Sequence, residues 1–391
     1  MILEPKIMRG VCLTSHPEGC EKEVLNQIDY VKSQGSIDMP RRVLVVGCST
    51  GFGLASRITA TFAGGSETIG VSFEKGPSDK RSASPGWYNN RAFDKAAAKA
   101  GIKSHTLDGD AFSDGIKDEA AAWIGENWGQ VDMIIYSLAS PVRRDPESGV
   151  TYRSVLKPIG KPYTAQSVDF MTAAISDVTI EPAAEEEIAP TVKVMGGEDW
   201  ARWISQFKAA GLLAEGFRTV SYSYIGPAVT YPVYREGTIG KAKEDLENSA
   251  ASLTSMLKDV SGQAFVSVNK ALVTRASSVI PVVPLYMALL FRVMKEKGIH
   301  EGCIEQMYRL FSDRLKPGAG VLVDDKGRIR VDDWEMREDV QSEVSELWDQ
   351  VTTENISELS DIKGFREDFL KLHGFNVEGI DYDKEVDLTA Y

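Results

Sequence analysis

RRVLVVGCSTGFGLASRITATFAG, residues 41–64, starts as a short apolar run flanked by charge, turns through Gly47, Gly51 and Gly53, and continues with helical spacing. Strand, glycine turn and helix, in that order, form a nucleotide-binding unit. Glycines let the backbone approach a pyrophosphate, and the amides at a helix N-terminus meet its charge. Ser49 and Thr50 add hydroxyl donors. No Lys-Ser/Thr pair follows as in a P-loop, which disfavours a nucleoside triphosphatase. The spelling GxxxGxG departs from the strict GxGxxG, so its strand and helix context carries the reading.

The flanking sequence supplies that context. PEGCEKEVLNQIDYVKSQGS, residues 17–36, reads as an amphipathic helix packing beside the first strand. ETIGVSFEKG, residues 67–76, reads as a second strand ending in Glu74. A carboxylate there accepts hydrogen bonds from an adenosine ribose and repels a 2'-phosphate, which favours NADH; Lys75 beside it weakens the exclusion. SHTLDGDAF supplies a third strand, leaving Asp110 and Ala111 either beside an adenine ring or in a plain capping loop, with Ser113 capping the next helix. VDMIIYSLAS, residues 131–140, is nearly continuously apolar, as a strand buried on both faces should be. Leu138 and Ala139 at its end would meet the nicotinamide side. The order β-α-β-α-β-α-β predicts a parallel sheet with helices on both faces.

Residues 141–180 change texture to short β-like pieces with frequent turns, predicting an inserted antiparallel flap. Arg143, Arg144, Arg153, Lys157 and Lys161 form a basic cluster there, either a phosphate contact or a solvated surface. One or two helices broken at Gly196 and Gly197 lead to a fifth strand, FRTVSYSYIG. QAFVSVNKAL is a sixth, with Leu272, Val273 and Thr274 at the sheet's carboxyl edge. VIPVVPLYMALLFRVMKEK, residues 279–297, reads as a buried core helix or a wall of an acyl channel. VLVDDKGRIRVDDW predicts a β-hairpin turning at Asp325 to Gly327. The expectation is one enlarged nucleotide-binding domain over residues 1–391, with the flap and an accessory helical region with hairpin over 276–391.

Composition narrows the chemistry. The net charge of -13 over 391 residues disfavours a nucleic-acid partner. The N-terminus lacks the basic-then-apolar order of a signal peptide and no apolar run reaches membrane-spanning length, so a cytoplasmic protein without membrane insertion is expected. Four scattered cysteines without CxxC spacing read as reduced thiols, and four histidines without paired spacing predict no metal site.

The chemistry concentrates in VSYSYIGPAVTYPVYREGTIGKAKEDL, Val220 to Leu246. A strand ends at Tyr224, a Pro/Gly loop carries Tyr231 and Tyr234, and a helix begins at about Thr238. Ile239, Ala242, Leu246, Ala250 and Leu253 mark that helix's buried stripe. Lys243 lies beside the stripe and Lys241 nearly opposite it. A tyrosine is a poor acid, but a neighbouring ammonium stabilises its phenolate as the proton leaves. Tyrosine and lysine beside a bound dinucleotide therefore suggest reduction of a carbonyl or of an alkene conjugated to one. Tyr234 and Lys243 stand nine residues apart, so one straight helix would put them on opposite faces and the chain between them must bend.

HPEGC, GCSTGFG, SPGWYNN, VMGGEDW, SYSYIG, TYPVYREGTIGKAKEDLE, AFVSVNKALVT and DDKGRIRVDDWEMR, in this order across almost the whole chain, resemble the trans-2-enoyl-CoA reductase and FabV-type enoyl-ACP reductase family. The resemblance implies an enlarged Rossmann fold of the short-chain-dehydrogenase type that reduces the double bond of trans-2-enoyl thioesters with NADH. It implies Tyr234 and Lys243 as the catalytic pair and Tyr224 as a catalytic and substrate-contacting tyrosine. It implies cofactor contacts at Gly47, Cys48, Ser49, Thr50, Gly51 and Phe52, at Phe73 and Glu74, at Asp110 and Ala111, at Leu138 and Ala139, at Lys243, and at Leu272, Val273 and Thr274. Phe52 departs from the tyrosine that many relatives carry. The expected substrate is an acyl-CoA thioester, with acyl carrier protein as the other carrier, acted on by a monomer or weak dimer. The alternatives are an NADH-dependent ketoreductase or alcohol dehydrogenase, and a nucleotide sensor without turnover.

Overall fold

Val43, Leu44, Val45 and Val46 are fully buried, as an aliphatic run covered on both faces must be. They belong to β1 (Arg42–Val46), a central strand in a computed structural model that describes residues 1–8, 10–318 and 320–388. With it run β2 (Glu67–Ser72), β3 (Ser104–Asp108), β4 (Val131–Tyr136), β5 (Leu213–Ser223), β6 (Gln263–Val268) and β7 (Arg328–Arg330). These seven strands stand in the spatial order β3-β2-β1-β4-β5-β6-β7, and every pairing is parallel. Strand order reverses between β1 and β4, which opens a ligand crevice at their carboxyl ends.

The alternation of β1 sorts the core. Val43 and Val45 pack with α1 (Pro17–Gln34), α2 (Gly51–Ile58) and α3 (Pro85–Lys99) on one face. Leu44 and Val46 pack with α4 (Asp114–Asn127), α6 (Glu198–Ala209) and α7 (Thr238–Met256) on the other, α5 (Glu185–Met195) lying against α7. A third apolar cluster surrounds α8 (Val283–Glu296), joined by α10 (Glu338–Gln350) and a helix over Ile362–Lys371. Residues 285–291 of α8 are completely buried, so this segment is core.

The inserted flap consists of two separate antiparallel hairpins, Val142–Arg144 with Thr151–Arg153 and Tyr163–Asp169 with Ala174–Ile180. The hairpin expected at Asp325 to Gly327 does not form. Asp324 closes a tight turn by accepting the amides of Lys326 and Arg328 at 3.0 and 2.9 Å, but Leu322 and Val323 before it stay exposed. The arm after the turn instead becomes β7, pairing parallel with β6 from Val266↔Arg328 to Val268↔Arg330. The free edge of a large sheet competes successfully with a local partner of few residues. Residues 276–391 are therefore not accessory throughout, because they complete the main sheet.

The basic cluster divides: Arg143 is internal and Lys157 is ion-paired, while Arg144, Arg153 and Lys161 stay exposed. Arg143 is 1% exposed, donates to Glu198 at 3.0 Å and to the Lys193 carbonyl at 2.7 Å, and so cannot serve a ligand at the surface. Lys157 is held by both carboxylate oxygens of Glu187 at 2.8 Å. Among the described residues no helix is long and apolar enough to cross a membrane.

Candidate active site

The β1–α2 turn is built for close backbone approach. A Cβ on Gly53 would lie 1.9 Å from the Gly47 carbonyl oxygen, and one on Gly47 2.4 Å from that of Ser137 after β4. Thr50 opens α2 without a side-chain cap, which leaves the first-turn amides for an anion. Thr274 sits over this turn, its Cγ2 3.5 Å from where a Gly51 Cβ would be, and Thr274 and Ser277 bond each other. The Leu272–Thr274 segment therefore closes the crevice, with Leu138 beside Gly47 on the β4 side. Cys48 contributes backbone alone: its side chain is fully buried, bonds Asn90 and Arg57, and burial raises its thiol pKa. Phe52 packs its ring 5.9 Å from that of Tyr222.

At the end of β2, Phe73 is 78% exposed, an apolar face largely open to solvent. Glu74 is already engaged, accepting from Ser49 Oγ at 2.7 Å and from Arg275 at 3.2 Å. The Ser49 hydroxyl, expected to serve a phosphate, is thus committed to Glu74. Asp110 and Ala111 follow β3, and the Ala111 carbonyl is fixed by Lys117 Nζ at 2.8 Å and Trp203 Nε1 at 3.1 Å. Lys117 is buried against Asp199 at 2.9 Å, which also accepts from Tyr136 Oη at 3.0 Å. Lys117 stands one position after Ile116 and three before Ala120 on α4, so the reasoning applied to Lys243 would have found it.

Tyr224 follows directly on β5, and Tyr234 lies in the loop before α7. Their rings meet edge to face, with centroids 4.9 Å apart and planes at 81°. The required bend is present: Tyr234 closes a turn on the Thr230 carbonyl, and α7 starts only at Thr238. Lys243 emerges beside the buried Ile239, Ala242 and Leu246 and donates to the Tyr222 carbonyl at 3.0 Å, whereas Lys241 points outward to Glu244. Burial lowers the Lys243 pKa to about 8, with Glu247 opposing. Burial likewise raises the Tyr234 pKa, and nothing in the fold lowers it. The expected acidification of Tyr234 by Lys243 does not appear: burial sets the direction of the shift, and no hydrogen bond joins the two among the described residues.

The hydroxyls differ in availability. Among the described residues Tyr234 Oη has no hydrogen-bond partner, while Tyr224 Oη donates to Glu335 at 3.1 Å. Glu335 and Tyr286, which also donates to it, come from the segments after β7 and within α8, and neither was singled out from the sequence. The crevice, uncapped helix, exposed Phe73 and single-acceptor Lys243 together fit a dinucleotide. Among the described residues no cluster of metal-ligating side chains occurs.

Three family profiles match consecutive parts of the chain. "NAD(P)H binding domain of trans-2-enoyl-CoA reductase" covers residues 2–79, "Trans-2-enoyl-CoA reductase catalytic region" 81–316, and "Enoyl reductase FAD binding domain" 323–386. The chain is 59% identical over 386 residues to the enoyl-[acyl-carrier-protein] reductase [NADH] of Cytophaga hutchinsonii, covering 99% of this chain and 98% of the relative. It is 54% identical over 390 residues to the trans-2-enoyl-CoA reductase [NADH] of Clostridium perfringens, covering 100% of both. The crystal structure of Treponema denticola trans-2-enoyl-CoA reductase in complex with NAD superposes with a TM-score of 0.95 at 54% identity, over 99% of this chain and 98% of that one. Residues 323–386 do not fit the flavin that the third description names. β7 runs into Asp332 and Asp333 where a dinucleotide site has glycines, and α10 opens with Glu338 and Asp339, which repel a pyrophosphate.

Proposed function

The chain belongs to the trans-2-enoyl-CoA reductase family, and from that premise we propose how its own residues carry the NADH-dependent reduction of a trans-2-enoyl thioester to the saturated acyl thioester. NADH, when bound, supplies the hydride to the β-carbon. The β1–α2 turn from Gly47 to Phe52 receives the pyrophosphate and Phe73 the adenine face, beside Asp110 and Ala111. Glu74 faces the adenosine ribose. Leu138, Ala139 and Leu272 to Thr274 line the nicotinamide end, and the Lys243 ammonium holds the nearby ribose.

As the β-carbon is reduced, negative charge develops on the thioester oxygen, where a donor stabilises it. Tyr234 is that donor and Tyr224 orients the substrate, and protonation of the resulting enolate at the α-carbon completes the saturated thioester. One observation carries the assignment: among the described residues the Tyr234 hydroxyl has no hydrogen-bond partner, while the Tyr224 hydroxyl is already tied to Glu335. The raised pKa of both phenols keeps each protonated, so that an O–H is present when charge appears. Tyr234→Phe is expected to lower kcat by about a hundredfold or more at unchanged NADH affinity. Near-normal turnover of that variant would sink the assignment. NADH consumption with crotonyl-CoA but not acetoacetyl-CoA separates alkene from ketone reduction.

For the carrier, the reading is coenzyme A. Arg144 and Arg153 stay exposed on the first hairpin and Lys161 just before the second, giving a thioester's phosphates local positive charge on an acidic molecule. A higher kcat/KM for the acyl carrier protein thioester than for crotonyl-CoA would reverse that choice.

A further inference from the structure

One buried carboxyl group gathers four segments of the site. Glu335 and Tyr286 are both 0% exposed. Glu335 Oε1 accepts from Tyr224 Oη at 3.1 Å and from Tyr286 Oη at 2.8 Å, and its Oε2 accepts the Ala271 amide at 2.7 Å. Gln341 Nε2 donates to Tyr286 Oη at 3.1 Å and to the Glu335 carbonyl at 2.6 Å. A carboxyl in such a place is costly, and it differs from an amide in one respect: it accepts only when ionised and gains an O–H donor when protonated.

The fixed donors decide where that proton can point. The Ala271 amide occupies Oε2, and because Gln341 donates to the Tyr286 oxygen, the Tyr286 proton is directed at Glu335 Oε1. Among the described residues bonded to the carboxyl, Tyr224 is the remaining acceptor. With Glu335 ionised, the Tyr224 proton is committed to the carboxylate and its oxygen presents only lone pairs to the crevice. With Glu335 protonated, the bond reverses and the Tyr224 proton is free to turn toward the thioester oxygen.

We propose that Glu335 is a positioning residue for the reduction, its protonated carboxyl donating to Tyr224 and thereby aiming the Tyr224 hydroxyl at the substrate. No proton is consumed at Glu335; one is redirected. The proposal rests on the reading of Tyr224 as a substrate-facing group. The groups around the carboxyl are Lys270 and the Ala271 amide after β6, Tyr286 on α8, Tyr224 after β5 and Asp332 on its own segment. Lys270 donates to the Ala271 carbonyl at 3.1 Å and lies over the Phe291 ring, and Asp332 is held by Arg330. Burial, aided by Asp332, raises the Glu335 pKa against Lys270, the Ala271 amide and Tyr286, which favours the protonated form.

The test is kcat/KM for crotonyl-CoA against pH at saturating NADH, which removes the cofactor-binding titration of Lys243, with NADH affinity followed by fluorescence. Wild type is expected to lose about tenfold with rising pH, as Glu335 ionises. Glu335→Gln, whose amide donates at every pH, should start several-fold lower and show no such fall, while Glu335→Ala loses about tenfold throughout. NADH affinity stays within about twofold in both. A Glu335→Gln profile that still follows wild type, or full activity in Glu335→Ala, overturns the proposal. If Glu335→Ala fails to fold, the near-isosteric Gln variant decides alone. Tyr224→Phe tests the underlying reading separately: unchanged crotonyl-CoA kinetics there would remove Tyr224 from the reaction, whatever Glu335 does.

Discussion

Among the described residues Lys243 meets one acceptor, the Tyr222 carbonyl, and burial brings its pKa to about 8. Its ammonium is therefore complete below that pH and is lost as pH rises through it. NADH affinity should be flat on the acid side and weaken above about pH 8, by an amount that Lys243→Met abolishes and Lys241→Met leaves intact; titration by fluorescence measures it. An equal loss in both variants would contradict the choice of Lys243. This residue was legible because helical period alone separates it from Lys241. Glu335 was not: its contact with Tyr224 spans 111 positions of chain, and nothing local in RVDDWEMR distinguishes it from its acidic neighbours. Expecting Lys243 to acidify Tyr234 failed for a related reason, since sequence shows which charges are near in the chain but not how much water is removed around them.

At the scale of elements, the proposed site gives cofactor choice to the β1–α2 turn and the β2 end together. Gly53→Ala forces a Cβ against the Gly47 carbonyl, a backbone atom that cannot step aside, so a destabilisation of about 2–4 kcal/mol with loss of NADH binding is expected. Denaturant unfolding with and without NADH would reveal it. Glu74→Ala releases Arg275 from its ion pair at 3.2 Å beside the proposed adenosine ribose position. The variant should gain about tenfold in kcat/KM for NADPH relative to NADH; an unchanged preference would mean that Glu74 does not face the ribose. Strand, turn and helix here follow from apolar runs and glycines, which is why β1, α2 and β4 could be read directly. The arm at 328–330 could not, because its alternation is the same whether it pairs with residues just before it or with β6. Only the presence of an open sheet edge decides between them.

In the whole molecule, the sheet separates two apolar cores and α8 anchors a third, the last reaching the site through Tyr286. β7 ties the residues after α9 (Cys303–Arg309) back onto this framework, with Ile329 fully buried between Arg328 and Arg330. Ile329→Ala should cost about 2–4 kcal/mol and, by loosening β7, increase aggregation on refolding. Light scattering during dilution from denaturant would report it, and refolding as clean as wild type would count against β7 as the guard of that edge. The same strand fixes a schedule for biosynthesis. Gln263 to Val268 leave the ribosome long before Arg328 to Arg330 exist, so the growing polypeptide carries a nearly finished sheet with one raw border. Until the last strand is translated, the six-residue β6 is the outer strand on that side, its amides and carbonyls open to pairing with another chain. Synonymous slowing of the intervening codons would lengthen the exposure without changing a single residue.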